Sequence, residues 1–222
     1  MGLPATRGPE RGAAVIWGAV LVWLLSTAQP LCGVGALTLG FIVFAVVFLL
    51  RFGDLETVIG QLGILVLGFL YVSLMLAHLP LLHRLPEGRD WVFLVLLVVM
   101  AGDTCAYFCG INFGRHPLYP AISPKKSIEG AVGGLLGSLA GAFLARAWFL
   151  EIMTAGDAVL LGIGLGAVGQ LGDLFESMLK RSFGVKDSGT IVPGHGGILD
   201  RLDSLLFVFP LAYYYALLRF GA

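Results

Sequence analysis

The sequence predicts an all-α, polytopic integral membrane protein with about seven transmembrane helices. Three observations carry that expectation. Charge is sparse: 13% of residues are charged and 58% are hydrophobic, against about 25% charged in an ordinary soluble domain. Apolar runs of roughly 17–25 residues recur along the chain, each long enough to cross a hydrocarbon core as a helix. The 32 glycines are spread through those apolar runs, as is common where transmembrane helices pack closely. Mean hydropathy is +0.91. The net charge is zero, so no global field argues for nucleic acid as a partner.

The elements follow in order. Met1 to Gly12 is polar and carries Arg7 and Arg11. The first apolar run, Ala13 to Gln29, shows no clear small-residue cleavage site and is followed by further spans, so it reads as a helix and not as a leader. Pro30 separates it from a second run, Leu31 to Leu50. After the charged turn Arg51 to Thr57 comes a third run, Val58 to Leu82. His83 to Asp90 links it to a fourth, Trp91 to Gly110. A long loop is expected over Ile111 to Ser127, then a fifth span, Ile128 to Leu150. The acidic link Glu151 to Asp157 precedes a short sixth span, Ala158 to Leu171, expected to continue as helix through Asp173 to Lys180. The last span is Leu205 to Phe220. Residues 1–90 thus read as an N-terminal scaffold of about three helices, and 91–222 as a catalytic transmembrane region with loops at 111–127 and 181–199.

With a cytoplasmic N-terminus, ten of the 14 lysines and arginines fall on the inside and four outside. The positive-inside rule therefore predicts N-in, with both polar loops, and hence the active site, at the cytoplasmic side. Cys32, Cys105 and Cys109 lie in apolar segments. An odd count there makes neither a disulfide framework nor a metal spacing, and the latter two, one turn apart, read as small packing residues.

The polar residues concentrate between Gly172 and Asp203, and charge near lipid needs a reason. Asp173, Glu176, Ser177 and Lys180 are spaced i, i+3, i+4, i+7 and share one helix face. In a soluble protein that stripe is an ordinary surface ion-pair row. Here it extends a transmembrane span. Ser182 to Gly197 holds five glycines with Lys186, Asp187 and His195. Glycines let backbone N–H groups approach an anion, so the segment reads as a phosphate cradle, against the plainer reading of a flexible loop. It is not a Walker A loop. Asp200 and Asp203 share a face at the mouth of the last span. Paired carboxylates beside a phosphate cradle suit Mg²⁺, with Asp173 and Glu176 across from them, whereas an ion pair with Arg201 is the plainer alternative. Upstream, Asp103 lies inside the fourth span and needs a partner, a metal or a cavity. Lys125 and Lys126 stand beside Ser127, Ile128 and Glu129, which open the fifth helix, and lysines with free N–H groups form an anion site.

These residues carry a resemblance. Ser177-Met178-Leu179-Lys180-Arg181, then Lys186-Asp187, Pro193-Gly194-His195-Gly196-Gly197 and Asp200-Arg201-Leu202-Asp203 resemble the signature of the phosphatidate cytidylyltransferases. Asp103-Thr104 with Ala106-Tyr107-Phe108, and Ser123-Pro124-Lys125-Lys126-Ser127 with Glu129-Gly130, look like two further blocks of that family. Cys105 departs from the glycine or alanine more usual there, and the chain resembles a short member. The resemblance implies CTP and phosphatidate as substrates, and CDP-diacylglycerol and pyrophosphate as products. It implies Asp173, Asp200, Asp203 and Glu176 as Mg²⁺ ligands, with Mn²⁺ or a second cation as alternatives. Lys180, Arg181, Lys186 and Arg201 would hold phosphates. Ser123, Lys125, Lys126, Ser127, Glu129, Ser177 and the Gly194, His195, Gly196, Gly197 turn would line the substrate pocket, with Asp103 orienting a lysine or joining the metal. A bacterial inner-membrane location and a homodimer are further expectations. The competing readings are a cytidylyltransferase for another lipid acid, a transporter, a CDP-alcohol phosphatidyltransferase and a silent scaffold. A transporter predicts charges spread near the midplane of several spans. The phosphatidyltransferase reading lacks its DGxxAR-type pattern, and a silent scaffold would have lost some of the acids.

Overall fold

The computed structural model describes residues 8–27, 30–51, 55–189 and 197–221. The chain divides into two compact units, Met1–Leu81 and Leu82–Ala222.

The first unit contains helices α1 (Gly8–Thr27), α2 (Pro30–Arg51) and α3 (Leu55–Gly68), with a π-helical turn at Phe69–Leu74. Pro30 is the first residue of α2, where its missing N–H costs no helical bond. The unit packs around Leu21, Ala36, Phe44, Phe48, Leu65 and Phe69. Phe44 and Phe69 meet edge to face with ring centroids 5.5 Å apart, a favoured arrangement of aromatic quadrupoles. Trp17 Nε1 donates to the Ala36 carbonyl at 3.0 Å, which ties α1 to α2. The division between the units falls within α4 (His78–His83).

The second unit is built from α5 (Gly88–Phe113), α6 (Ile128–Trp148), α7 (Ala155–Ser182) and α8 (Leu199–Phe220). Its core runs through Trp91, Leu94, Val95, Val98, Leu165, Leu206 and Val208, all 0–2% exposed. Helices α5 and α6 approach through small residues. A Cβ on Gly137 would stand 2.6 Å from the Ala101 carbonyl oxygen and 2.6 Å from Cys105 Cβ. Only hydrogen fits there, the small-residue contact by which helices associate in lipid. Cys109 lies against Gly133 in the same seam, and both thiols are free. Ser138 Oγ donates to the Val98 carbonyl at 3.1 Å across it.

Helix α7 opens with a capping box: Thr154 accepts from Asp157 N, and the Asp157 carboxylate accepts from Thr154 N. Tyr215 on α8 donates to the same carboxylate at 2.5 Å, and Arg219 approaches it at 3.6 Å. As expected, the sixth span continues through the polar stripe, and its 28 residues rise about 42 Å, past a hydrocarbon core.

Three expectations need correction. The fourth helix does not stop at Gly110 but runs to Phe113, where Gly114 N closes the last turn by donating to the Gly110 carbonyl at 3.0 Å. The segment read as a loop from Ile111 contains two short strands, β1 (Pro117–Tyr119) and β2 (Ser123–Ser127), paired antiparallel. The last helix begins at Leu199, so Asp200 and Asp203 lie inside it. Among the described residues, five segments are long and apolar enough to cross a membrane by length and composition: Glu56–His83, Gly88–Phe113, Ile128–Trp148, Ala155–Ser182 and Leu199–Phe220. The shorter apolar stretches Ala14–Leu25 and Gly35–Leu50 fall in α1 and α2.

Candidate active site

A cavity of about 670 Å³ opens between α5, β2, α6 and α7. Its polar lining is Asp103, Ser123, Lys125, Lys126, Ser127, Gln170 and Asp173; Tyr107, Ile111 and Leu118 supply an apolar wall. The helical repeat explains the selection. Asp103, Ala106, Tyr107 and Gly110 fall on one face of α5, and Gln170 and Asp173 on one face of α7. Lys126 forms an ion pair with Asp173, two groups separated by 47 residues and each about 30% exposed.

The short hairpin holds those lysines in place. Ser127 caps α6 by accepting from Gly130 N at 3.1 Å. Glu129 accepts from Arg115 N at 3.1 Å, His116 N at 3.3 Å and His116 Nδ1 at 2.6 Å. Its carboxylate therefore anchors the approach to β1 and does not line the cavity. Arg181 Nε donates to the Ile122 carbonyl at 3.4 Å, so the end of α7 grips the start of β2.

A second cluster lies where α7 meets α8. Gly172 permits this approach, since a Cβ there would stand 2.8 Å from the Asp203 carbonyl oxygen. Lys180 bridges two carboxylates, pairing with Glu176 and, at 2.7 Å, with Asp200. Glu176 is 1% exposed, and its Oε1 has no hydrogen-bond partner among the described residues. Asp200 Oδ2 accepts from Ser188 N at 2.9 Å, Ser188 Oγ at 2.7 Å and Gly197 N at 2.7 Å. It fastens both described ends of the glycine-rich loop to α8. Asp203 Oδ1 accepts from Ser204 N at 2.7 Å, and the charges of Asp173, Glu176 and Asp103 act on it. Ser177 Oγ lies 3.5 Å from Asp173 Oδ1.

The structure thus joins Asp103, Ser123, Lys125, Lys126, Ser127 and Asp173 in one cavity, and Glu176, Lys180, Asp200 and Gly197 in an adjoining network. Arg181, Lys186 and Arg201 are exposed at its edge. Gly194, His195 and Gly196 lie outside the described residues. Gln170 also lines the cavity, a residue outside the polar motifs of the sequence. Its signal was a lone amide in the apolar run of α7, one turn before Asp173.

Five carboxylates (Asp103, Asp173, Glu176, Asp200 and Asp203) gather here, and two lysines touch them. That excess of negative charge, with hard oxygen donors, fits a divalent cation in kind. Among the described residues no three His, Cys, Asp or Glu side chains form a ready metal-holding group. Asp200 is fully engaged by Lys180 and the loop, which leaves Asp173 and Asp203 as the carboxylates best placed to share a cation with phosphate oxygens.

Fold and site together define a polytopic membrane protein with a lysine–carboxylate centre suited to phosphate chemistry. The sequence profile described as "Cytidylyltransferase family" matches residues 3–218, and the chain belongs to that family. It is 51% identical over 127 residues to the phosphatidate cytidylyltransferase of Staphylococcus aureus (strain COL), covering 56% of this chain and 48% of that protein. Proteins of the same name from Staphylococcus saprophyticus and Staphylococcus epidermidis are 50% and 49% identical over 133 and 125 residues, with the same coverage. The chain spans about half the length of the curated relatives it matches.

Proposed function

We propose that this chain transfers the cytidylyl group of CTP to phosphatidate, giving CDP-diacylglycerol and pyrophosphate. The observation that carries the reading is the cavity in which Lys125 and Lys126 face Asp103 and Asp173 at the junction of α5, α6, α7 and the hairpin. An oxygen of the lipid phosphate attacks the α-phosphorus of CTP. The bond from that phosphorus to the oxygen bridging to the β-phosphate breaks, and pyrophosphate leaves with the electron pair. The attacking phosphate is ionised near neutral pH, so no serine or cysteine nucleophile is needed. Positioning and charge neutralisation carry most of the catalysis in such transfers.

Lys126 releases Asp173 and turns to the phosphates, while Lys125 supplies a second cation. Lys180 keeps the α7 and α8 carboxylates in register, and Arg181, Lys186 and Arg201 attract the anionic reactants at the rim. Asp173 and Asp203 are the residues that would hold Mg²⁺. When bound, such an ion neutralises phosphate charge and polarises the reacting phosphorus. The positive-inside pattern supports a cytoplasmic N-terminus and cytoplasmic nucleotide access. The staphylococcal relatives support a bacterial cytoplasmic membrane, and a homodimer is the assembly to test.

Purified protein in detergent, given labelled CTP, phosphatidate and Mg²⁺, is expected to form CDP-lipid and pyrophosphate in equal amounts. Lys126→Ala is expected to lower kcat/KM for CTP by about 10²-fold or more, the loss typical of one charge-stabilising donor. A folded wild-type protein that binds CTP yet forms no CDP-lipid from phosphatidate would refute this acceptor. Absence of CTP binding would refute the cytidylyl reading altogether.

A further inference from the structure

Gln170 is a polar group of the cavity that the transfer chemistry leaves unused. Gln170 stands on α7 one turn before Asp173, on the side of that carboxylate away from Lys180 and the glycine-rich loop. It lines the cavity with Asp103, Tyr107 and Lys126. Its Nε2 donates to the main-chain carbonyl of Ala131 on α6 at 3.0 Å. That bond fixes which way the amide is turned: the nitrogen faces α6, and Oε1 has no hydrogen-bond partner among the described residues.

An amide oxygen only accepts. Ionised phosphate oxygens also only accept, so Oε1 is no phosphate ligand. Phosphatidate brings no other donor near its headgroup, because both remaining glycerol oxygens are esterified. The donors on the reactants are the exocyclic amine of cytosine and the ribose hydroxyls. Lys125 and Lys126 draw the triphosphate toward β2, and the base is the part of the nucleotide farthest from its phosphates. Gln170 lies deeper along α7 than the Lys126–Asp173 pair, by about 4.5 Å for three residues of helix. Tyr107 offers an aromatic wall beside it. The cavity's 670 Å³ is ample for a nucleotide.

We propose that Gln170 Oε1 accepts from the cytosine amine and makes the site select CTP over UTP. This rests on reading the cavity as a CTP site. Uracil places a carbonyl oxygen where cytosine carries its amine, so two acceptors would then face each other and the amide would stay unpaired. Sites built to hydrogen-bond a substrate group reject the analogue lacking it far more strongly than apolar pockets reject a misfit.

The test measures kcat/KM for CTP, UTP and dCTP with phosphatidate and Mg²⁺, using the full chain in detergent. Wild type is compared with Gln170→Met, which keeps the length but has no amide acceptor, and Gln170→Glu, which keeps an acceptor and loses the donor to Ala131. Wild type is expected to prefer CTP over UTP by about four orders of magnitude. Gln170→Met should lower that ratio at least about tenfold, the loss expected for one buried hydrogen bond and its unpaired partner. Gln170→Glu should hold the ratio within about threefold of wild type, even if both activities fall because the link to α6 is gone. The CTP-to-dCTP ratio should not move in either variant. An unchanged CTP-to-UTP ratio in Gln170→Met would overturn the assignment and leave Gln170 a link between helices. A shift in the dCTP ratio instead would overturn it in favour of the ribose. A collapsed CTP-to-UTP ratio in Gln170→Glu would count against an acceptor role, and that variant decides the matter if the methionine variant fails to fold. Wild type that forms no CDP-lipid from any nucleotide would overturn the CTP reading along with this one, whereas an active wild type with an unmoved ratio sinks only the role of Gln170.

Discussion

Replacing Lys180 by methionine keeps the length and apolar stem of the side chain and removes its charge. Glu176 is 1% exposed, and Lys180 is the cation paired with it. Breaking a buried pair from one side costs about 3–5 kcal/mol, because the charge left behind has neither water nor a partner. Asp200 loses the same ammonium but keeps Ser188 N, Ser188 Oγ and Gly197 N as donors, so its share is the smaller, about 1–2 kcal/mol. The expected loss is therefore dominated by Glu176. Adding Glu176→Gln to Lys180→Met should recover about 2 kcal/mol, since the orphaned charge is gone. Together the two losses come to about 4–7 kcal/mol, and for a chain of this size 1 kcal/mol corresponds to about 2–4 °C, so the single variant should melt roughly 8–28 °C lower. Tryptophan fluorescence in a fixed detergent during heating reads all four species of the double-mutant cycle. A Lys180→Met protein that melts with wild type, or single effects that simply add in the double variant, would refute the idea that Lys180 neutralises a buried Glu176.

Three further outcomes follow from the same contacts. Gly137→Leu should push α5 from α6, because even a Cβ there would stand 2.6 Å from the Ala101 carbonyl; a loss of about 3 kcal/mol or more in detergent unfolding is expected, with Gly137→Ala milder. Asp157→Asn weakens both the α7 capping box and the 2.5 Å bond from Tyr215, so unfolding should become easier by about 1–3 kcal/mol, while turnover per folded molecule stays near wild type because the change lies at the opposite end of α7 from Lys180. Chelation by EDTA should stop CDP-lipid formation without lowering the melting temperature by more than a few degrees, and added Mg²⁺ should restore it; turnover that persists in EDTA would remove the metal from the proposed chemistry.

Much of this architecture was legible because membrane crossing is a one-dimensional constraint. Length and apolarity mark a span, and proline, charge and glycine mark its ends, so the helices and the continuation of α7 through Asp173 and Lys180 followed from the chain alone. The i, i+3, i+4, i+7 stripe also followed, since a helix fixes which residues share a face. What one helix cannot reveal is what stands opposite. Lys126 meets Asp173 across 47 residues and Lys180 meets Asp200 across 20, contacts set by how β2, α7 and α8 pack. The same limit hid the division of labour among residues of one type. Glu129 serves the turn through Arg115 and His116, Asp200 serves the loop through Ser188 and Gly197, and Asp203 faces other carboxylates. Sequence periodicity determined where polar groups sit along each helix. Tertiary packing alone decided which of them are neutralised, which are spent holding backbone, and which, like Gln170, line the cavity while bonding across to another helix, because partner choice depends on distances between elements that no spacing within one element contains.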